Sequence, residues 1–443
     1  GEVTVDFYLI NEKNVRGNHQ LKISVTDSQG KVMEVGTYET EAAGGEVYGQ
    51  LLVKDVKIPV PAAGGLCRIE AKLCKENSVV TTGYDDILSV NLASNMLDGK
   101  GAGWEDGSAL QNFLKGKTKE AVAAYEDNLG KLDWIMVARP PKKDQLTMVP
   151  MEALRSADGK PGLDVVYYED MEFQKEVYHE VAKVVNLSAI EGATPSPFVY
   201  MLDGYGIKWS GKILPSVSGE YTIIPQSNDR SMIEVFVNGK KIYEITRKKE
   251  HLGDGKVYLE GGKSADIEIR FRHPRSNARC RLDWAVPNDK MPDAQRLMER
   301  AVNDGTKIFI IQSADEWSEF IAANSKAVFK DKFFVGTNWL GGVMFNKPHD
   351  IFKELPVGNA LNWPYQALIH TGVERMGLVM EGEELLVGAY HTYPMAIGTA
   401  MGIVPMGKGS VLFSTLDIYG NIINDSAAGL VAKKLIFNMI DFK

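Results

Sequence analysis

One stretch constrains everything else in this chain. From Tyr205 to Glu244 the sequence runs YGIKWSGKILPSVSGEYTIIPQSNDRSMIEVFVNGKKIYE. Residues alternate from Ile207 to Ile213 around Trp209 and Gly211, the period-two pattern of a strand with one buried face. Pro215 and Gly219 supply turn chemistry, Tyr221–Ile224 is aromatic and β-branched, and Met232–Val237 alternates again. Asn238-Gly239 follows directly and is the strongest short hairpin signal, because the turn that matches strand twist needs positive φ at both central residues. Strands this dense commit the centre of the chain to antiparallel β structure, and the flanking segments must accommodate it.

The order W-x-G, P-x-x-x-G-x-Y, a polar Asn-Asp step and a strand ending V-N-G-K resembles the PA-fourteen (PA14) domain, a β-rich module often attached to glycosidases and adhesins. The resemblance runs from roughly Gly162 to Pro287, giving an inserted β-sandwich at 159–288. In the calcium-dependent sugar-binding branch of that family two adjacent Asp residues hold the metal. Here Asn228 stands in place of the first and Asp229 in place of the second. Calcium takes six to eight oxygens with several carboxylates, so the lost charge disfavours it, and no cofactor or metal is expected. Asn228, Asp229 and Arg230 offer an amide, a carboxylate and a guanidinium within three residues, a set that suits a hydroxyl-rich ligand. With Tyr205 as the nearest aromatic, these four are the candidate carbohydrate-binding residues. A purely structural polar turn is the other reading of the step. Trp209, alternating with its strand neighbours, reads as core.

A chain of 443 residues, 44% hydrophobic, has room for about three domains. Val3–Ile10, Leu21–Thr26, Val53–Val60, Leu66–Leu73 and Val79–Thr82 are strand-like with no helix between them, so 1–91 reads as an antiparallel sandwich. VDFYLINEKNVRGNHQLKISVTDSQGK and the later GYDDILSVN resemble the immunoglobulin-like domains of glycoside hydrolase family two. Asn11-Glu12 matches in letters the pair that carries the acid/base carboxylate of those enzymes. There the pair ends a strand of a barrel of about 250 residues. Here it ends a sandwich strand, and it reads as a polar turn.

Around the insertion the texture is α/β, at 92–158 and 289–443. Leu132–Ala138 is a short apolar run, as buried parallel strands are, and it stops at Arg139-Pro140-Pro141. The pattern resumes with an amphipathic helix over Pro292–Asp304 ended by Gly305, and a strand over Lys307–Ile311. Ser313 is expected to cap a helix over Ala314–Ala323. Val411–Leu416 should be a late strand, and Asp425 or Ser426 should cap a last helix over Ala427–Ile440. The simplest account is one flavodoxin-like domain split by an insertion, since lengthening a surface loop costs little. HDIFKELP with ALNWPYQ, and GIVPMGKGSVLFSTLDI, resemble accessory domains of bacterial glycosidases whose fold is that of class I glutamine amidotransferases. Amidotransferase chemistry needs a cysteine at a strand-to-helix turn. The α/β segments contain none, and Ser313 lacks the flanking glycines of a hydrolase elbow, so no catalytic residue is assigned. The seven histidines show no zinc spacing. His349 reads as satisfying a loop backbone, and His370 and His391 as neighbours of the Trp339, Trp363 and Tyr393 segments.

The net charge of −8 without a basic cluster argues against nucleic acid and anionic membrane, and no apolar run approaches the roughly 20 residues of a membrane helix. Of three cysteines, alternation puts Cys67 inward and Cys74 outward, and Cys280 between two arginines is an exposed-thiol candidate. The chain is either a cytosolic protein or a trimmed piece of a larger secreted one. The resemblances imply the second, secreted, periplasmic or extracellular, with carbohydrate and the upstream catalytic domains of the same parent chain as partners. The expected role is the non-catalytic accessory region of a β-galactosidase-like glycoside hydrolase. The alternative is a stand-alone carbohydrate-binding or assembly protein. The chain alone should therefore turn over none of a panel of aryl glycosides, and a rate that copurifies with it would overturn that expectation.

Overall fold

The computed structural model describes residues 1–76, 78–92, 96–141, 146–189, 194–196, 204–227, 230–275, 278–287, 292–335, 342–361, 363–370, 376–392, 395–424 and 427–442, with backbone alone at 370, 427 and 428. The chain divides into two units, one of Gly1–Ser94 with His349–Val357 and one of Asn95–Pro348 with Gly358–Lys443. No described helix is long and apolar enough to cross a membrane.

The first unit holds two antiparallel sheets. Four strands lie in the order Val32–Ala43, Arg16–Thr26, Gly65–Lys75, Ser78–Ser89, and Glu2–Ile10 pairs with Gly49–Pro59. Alternation sends Leu21, Ile23, Val25, Cys67, Ile69 and Leu73 inward against Val56 and Ile58. Cys74 corrects the outward expectation. The register slips between Leu73 and Cys74, and Cys74 is buried like Leu73 before it. Asn11 is structural: its amide donates to Val15 O at 2.9 Å and its Oδ1 accepts Val15 N at 2.8 Å, closing the turn. His349–Val357 packs within this unit. Ile351 and Phe352 are buried, His349 Nδ1 accepts Ile351 N at 3.2 Å, and a side chain at Gly64 would collide with the Glu354 carboxylate.

In the second unit a ten-stranded sheet contains five parallel strands. In chain order they are Gly101–Glu105, Ala123–Ala124, Trp134–Ala138, Lys307–Ile310 and Gly409–Ser414. They lie side by side as second, first, third, fourth, fifth. Trp134–Ala138 is buried at every position, the reason it reads as an unbroken apolar run. It pairs on one side with Gly101–Glu105 and on the other with Lys307–Ile310, so strands from both sides of the β-rich centre share one sheet. The helix Ala294–Asp304 buries Leu297, Met298 and Ala301. Asp293 caps it by accepting Gln295 N, and Gly305 closes it at φ 79°. Ser313 does not cap Ala314–Ala323 as expected. It sits in left-handed backbone at φ 55°, ψ 35° and makes no side-chain cap bond. Residues 425 and 426, the expected caps of the helix Ala427–Asp441, lie outside the described residues.

The β-rich centre is a two-sheet sandwich. One sheet orders Glu176–Ala182, Leu163–Tyr168, Tyr205–Ile213, Ala265–His273, Met232–Val237, Lys240–Ile245 and His251–Leu252. The other orders Thr147–Met148, Ala278–Ala285, Gly219–Ser227 and Lys256–Leu259. Asn238 at φ 50° and Gly239 at φ 74° make the tight turn the sequence announces. Trp209 is core, with Phe271 edge-on at 6.1 Å, and Tyr221 packs on Trp284 at 5.2 Å. Cys280 corrects the exposed-thiol expectation: it is 1% exposed, and burial pushes its thiol pKa up.

The strand leaving the parallel sheet pairs with the strand returning to it, Thr147 opposite Trp284 and Met148 opposite Asp283. At this neck Arg139 Nη1 donates to Asp106 Oδ1 at 2.5 Å, and Thr147 Oγ1 donates to Asp106 Oδ2 at 2.5 Å. The Trp317 indole donates to Arg139 O at 2.7 Å. Both side chains of the ion pair are largely buried, 8% and 12% exposed. Asp106→Ala should therefore cost about 3–5 kcal/mol in urea unfolding, because it strands a buried guanidinium. Asp106→Ala/Arg139→Met should recover most of that loss, and a single variant as stable as the parent would refute the account.

Candidate functional site

Strand register decides which loops of the inserted sandwich share an end. Tyr205 lies opposite His273 and Met232 opposite Arg272 in one sheet, Ser227 opposite Cys280 and Ala189 opposite Ala278 in the other. All these strand termini stand at one end, and the chain crosses there from one sheet to the other between Ser227 and Met232. Arg230 is exposed in that crossing. Asn228 and Asp229 lie outside the described residues. Tyr205 is a correction: it is 1% exposed, its ring 6.5 Å from Phe271 and 6.0 Å from His273. The inward phase of its strand makes it core, and its face is not free for a sugar.

Beneath the crossing lies a polar pair that the sequence reading missed. Ser231 is buried, and its Oγ lies 3.1 Å from Nδ1 of His273, which is wholly buried. The His273 ring stacks on Phe271 at 5.8 Å and 7°. The signal was present, since alternation through Ala265–His273 puts His273 on the inward face. The result is a buried polar floor under a loop whose described member, Arg230, is exposed, an arrangement able to present hydrogen-bonding groups to a ligand.

A second polar cluster sits at the carboxyl ends of the parallel strands. Strand order reverses between the first and third strands, the place where open parallel sheets take ligands. Glu105 ends the first strand, Asp106 follows it, and Arg139 follows the third. Glu105 accepts Leu110 N at 3.0 Å, Gln111 N at 3.1 Å and the Tyr419 hydroxyl at 2.7 Å. It thereby caps the short helix Ala109–Leu114, where the Ser108 side chain makes no cap bond and instead accepts Asn112 Nδ2 at 3.0 Å. Burial raises the Glu105 pKa, and these bonds pull it part of the way back. Both carboxylate oxygens of Glu152 are shielded from water and have no hydrogen-bond partner among the described residues. The crevice is thus occupied by the chain's own side chains. Ser313 has the backbone of a nucleophile turn, but among the described residues no histidine bonds it. No group of three His, Cys, Asp or Glu among the described residues is placed to hold a metal. Trp339, Tyr393 and the His370 side chain lie outside what is described.

Glu105 has a pH signature. Its folded pKa is above the ordinary 4.5, so its stabilising contribution is full below that value and is lost as pH rises through the folded pKa. The melting-temperature difference between the parent and Glu105→Gln should shift against the parent from pH 4.5 towards neutrality. A pH-independent difference would remove Glu105 as the cause.

The model of the PA14 domain matches residues 159–296. Among curated proteins, the anti-sigma-I factor RsgI3 of Acetivibrio thermocellus is 27% identical over 127 residues, covering 28% of this chain and 19% of that protein. The chain thus matches about a fifth of that relative's length. Among solved structures, the β-glucosidase of Kluyveromyces marxianus aligns at 12% identity and TM-score 0.34, over 50% of this chain and 29% of that one. An anti-sigma factor domain-containing protein from Clostridium clariflavum aligns at 11% and 0.27, over 66% and 90%. The epithelial adhesin 6 A domain of Candida glabrata, solved with Galβ1-3GlcNAc, aligns at 13% and 0.24, over 34% and 89%.

Proposed function

We propose, from a PA14 domain present at 159–296, that this chain is a non-catalytic, carbohydrate-binding accessory region of a secreted glycoside hydrolase. The PA14 match is the observation that carries the reading. The glycan is taken at the sandwich end where the chain crosses between sheets, with Asn228, Asp229 and Arg230 as contacting residues and Ser231 and His273 as the floor. Tyr205 is not among the contacts, being core. Several strand termini converge at that end, which gives a ligand loops from both sheets. Strand order supports the wider domain reading. In the first unit the four-stranded sheet and the separate pair match C′-C-F-G and B-E of an immunoglobulin-like sandwich. In the second, the parallel strands follow the flavodoxin order 2-1-3-4-5, which the amidotransferase-like reading requires. The domain division 1–91, 92–158 with 289–443, and an inserted 159–288 is part of this proposal.

The absence of a cysteine from the parallel-sheet segments favours scaffolding over chemistry there. A glycan array probed with the full chain beside Asp229→Ala tests the site. Binding to neutral glycans that falls tenfold or more in the variant is expected. Binding unaltered by the change would move the site, and an empty array would end the carbohydrate reading. Calcium at millimolar concentration should leave the melting temperature within about a degree, because a ligand that binds only the folded state raises it. A large rise abolished by Asp229→Ala would establish a metal site.

A further inference from the structure

The outward face of the larger PA14 sheet carries a trough whose lining includes none of Arg230, Ser231 and His273. Register sets its rows. Ser210 lies opposite Glu268, which lies opposite Phe236; the next row is Lys208, Arg270 and Glu234. These positions are half-buried, while Trp209, Ile269, Val235 and Val237 between them face the core. Ser210 is short, and Gly211 and Gly239 carry no side chain, so long neighbours stand around a depression of about 380 Å³ lined also by Asp266 and Ile267. That lies near the lower bound of ligand pockets, about 300–1,000 Å³. It sits towards Ile213, Val237 and Ala265, the opposite strand ends from the 228–230 crossing.

The lining is pre-organised. The Arg270 guanidinium stands 4.8 Å from the centre of the Phe236 ring and its Nε donates to Glu268 Oε1 at 2.6 Å, so stacking and a charge-assisted bond hold it together. Both charged side chains still reach solvent, Arg270 at 37% and Glu268 at 30% exposure. Beside the trough, ion pairs tie the side chains to one another, Arg272 and Lys241 with Glu234 across strands and Lys241 with Glu244 along its own strand. The trough thus offers an aromatic surface, two carboxylate acceptors in Asp266 and Glu268, guanidinium donors and the Ser210 hydroxyl, which both donates and accepts. Carboxylates accept from adjacent hydroxyls, and a ring packs against the C–H face of a sugar. Glu268 is paired with Arg270 and Asp266 with Lys212 at 3.5 Å, so the charges of the lining are already balanced, which disfavours an anion.

We propose that this trough is a second saccharide site, specific for neutral sugars and independent of the 228–230 crossing. The test uses the full chain with lactose and cellobiose, galacturonic acid as the anionic control, calorimetric titration, and hydrogen exchange read by mass spectrometry. A neutral disaccharide should bind saturably and protect 233–239 and 265–270. That binding should persist in Asp229→Ala and fall tenfold or more in Phe236→Ala. Ser210→Tyr, a surface change that fills the trough, should do the same and guards against a folding defect in the first variant. Galacturonic acid should give no protection. Binding lost in Asp229→Ala but intact in Phe236→Ala and Ser210→Tyr would overturn this site and leave the loop site standing. The reverse pattern would move glycan recognition wholly to the trough. Failure of both disaccharides to protect either segment would overturn the trough, whatever the array shows for the crossing.

Discussion

The pair between Asp106 and Arg139 is the contact on which the second unit turns. Asp106 follows the first parallel strand, Arg139 follows the third, and Thr147, bonded to the other oxygen of Asp106, is the first paired residue of the neck. One carboxylate therefore joins two neighbouring strands of the sheet to the strand that leaves it. Removing two charges from water is expensive, and mutual attraction repays it only when the remaining donors and acceptors are filled. Burial lowers the Arg139 pKa while Asp106 raises it, which states the same opposition for a single group. The backbone at Arg139 is fixed as well, by the Trp317 indole on its carbonyl. Such a junction tolerates little sliding, so the inserted sandwich is held by geometry at its neck.

The same crevice shows what lies at the strand reversal of the parallel sheet among the described residues. In open α/β sheets that position stays vacant for a ligand. Here Glu105 is spent on two amides and the Tyr419 hydroxyl, and Asp106 on Arg139 and Thr147.

Much of this architecture was legible in the residues, and the exceptions share a cause. Trp134–Ala138 announced itself because full burial demands an unbroken apolar run, and Asn238-Gly239 because few other pairs tolerate two positive φ values. Cys74 was misplaced because a register slip leaves no trace in alternation, and Cys280 because flanking arginines suggest solvent when the strand between them points inward. Ser313 has the composition of a cap and the backbone of a strained turn, and only φ and ψ separate the two. At the candidate site, the polar crossing could be read from its letters, but the inward Tyr205 and the Ser231–His273 pair depend on which strands face one another. The trough was invisible for the same reason: Ser210, Phe236 and Glu268 meet across three strands, a proximity no local pattern encodes.

His349–Val357, a nine-residue excursion, belongs to the first unit although roughly 250 residues of the second separate it from Ser94. Its buried Ile351 and Phe352 and the fit of Glu354 against Gly64 make it part of that unit's packing. Synthesis is directional, so the unit begun at Gly1–Ser94 is completed only after most of the second unit has been made. At about 5–20 residues per second, the wait from Ser94 to His349 is on the order of 10–50 seconds. The strand Trp134–Ala138 waits likewise for its partner Lys307–Ile310 while the whole sandwich is made between them. On the ribosome, then, the insertion is able to finish before either of the units that bracket it, and those are the ones with apolar surface in need of protection until Lys307–Ile310 and His349–Val357 have emerged.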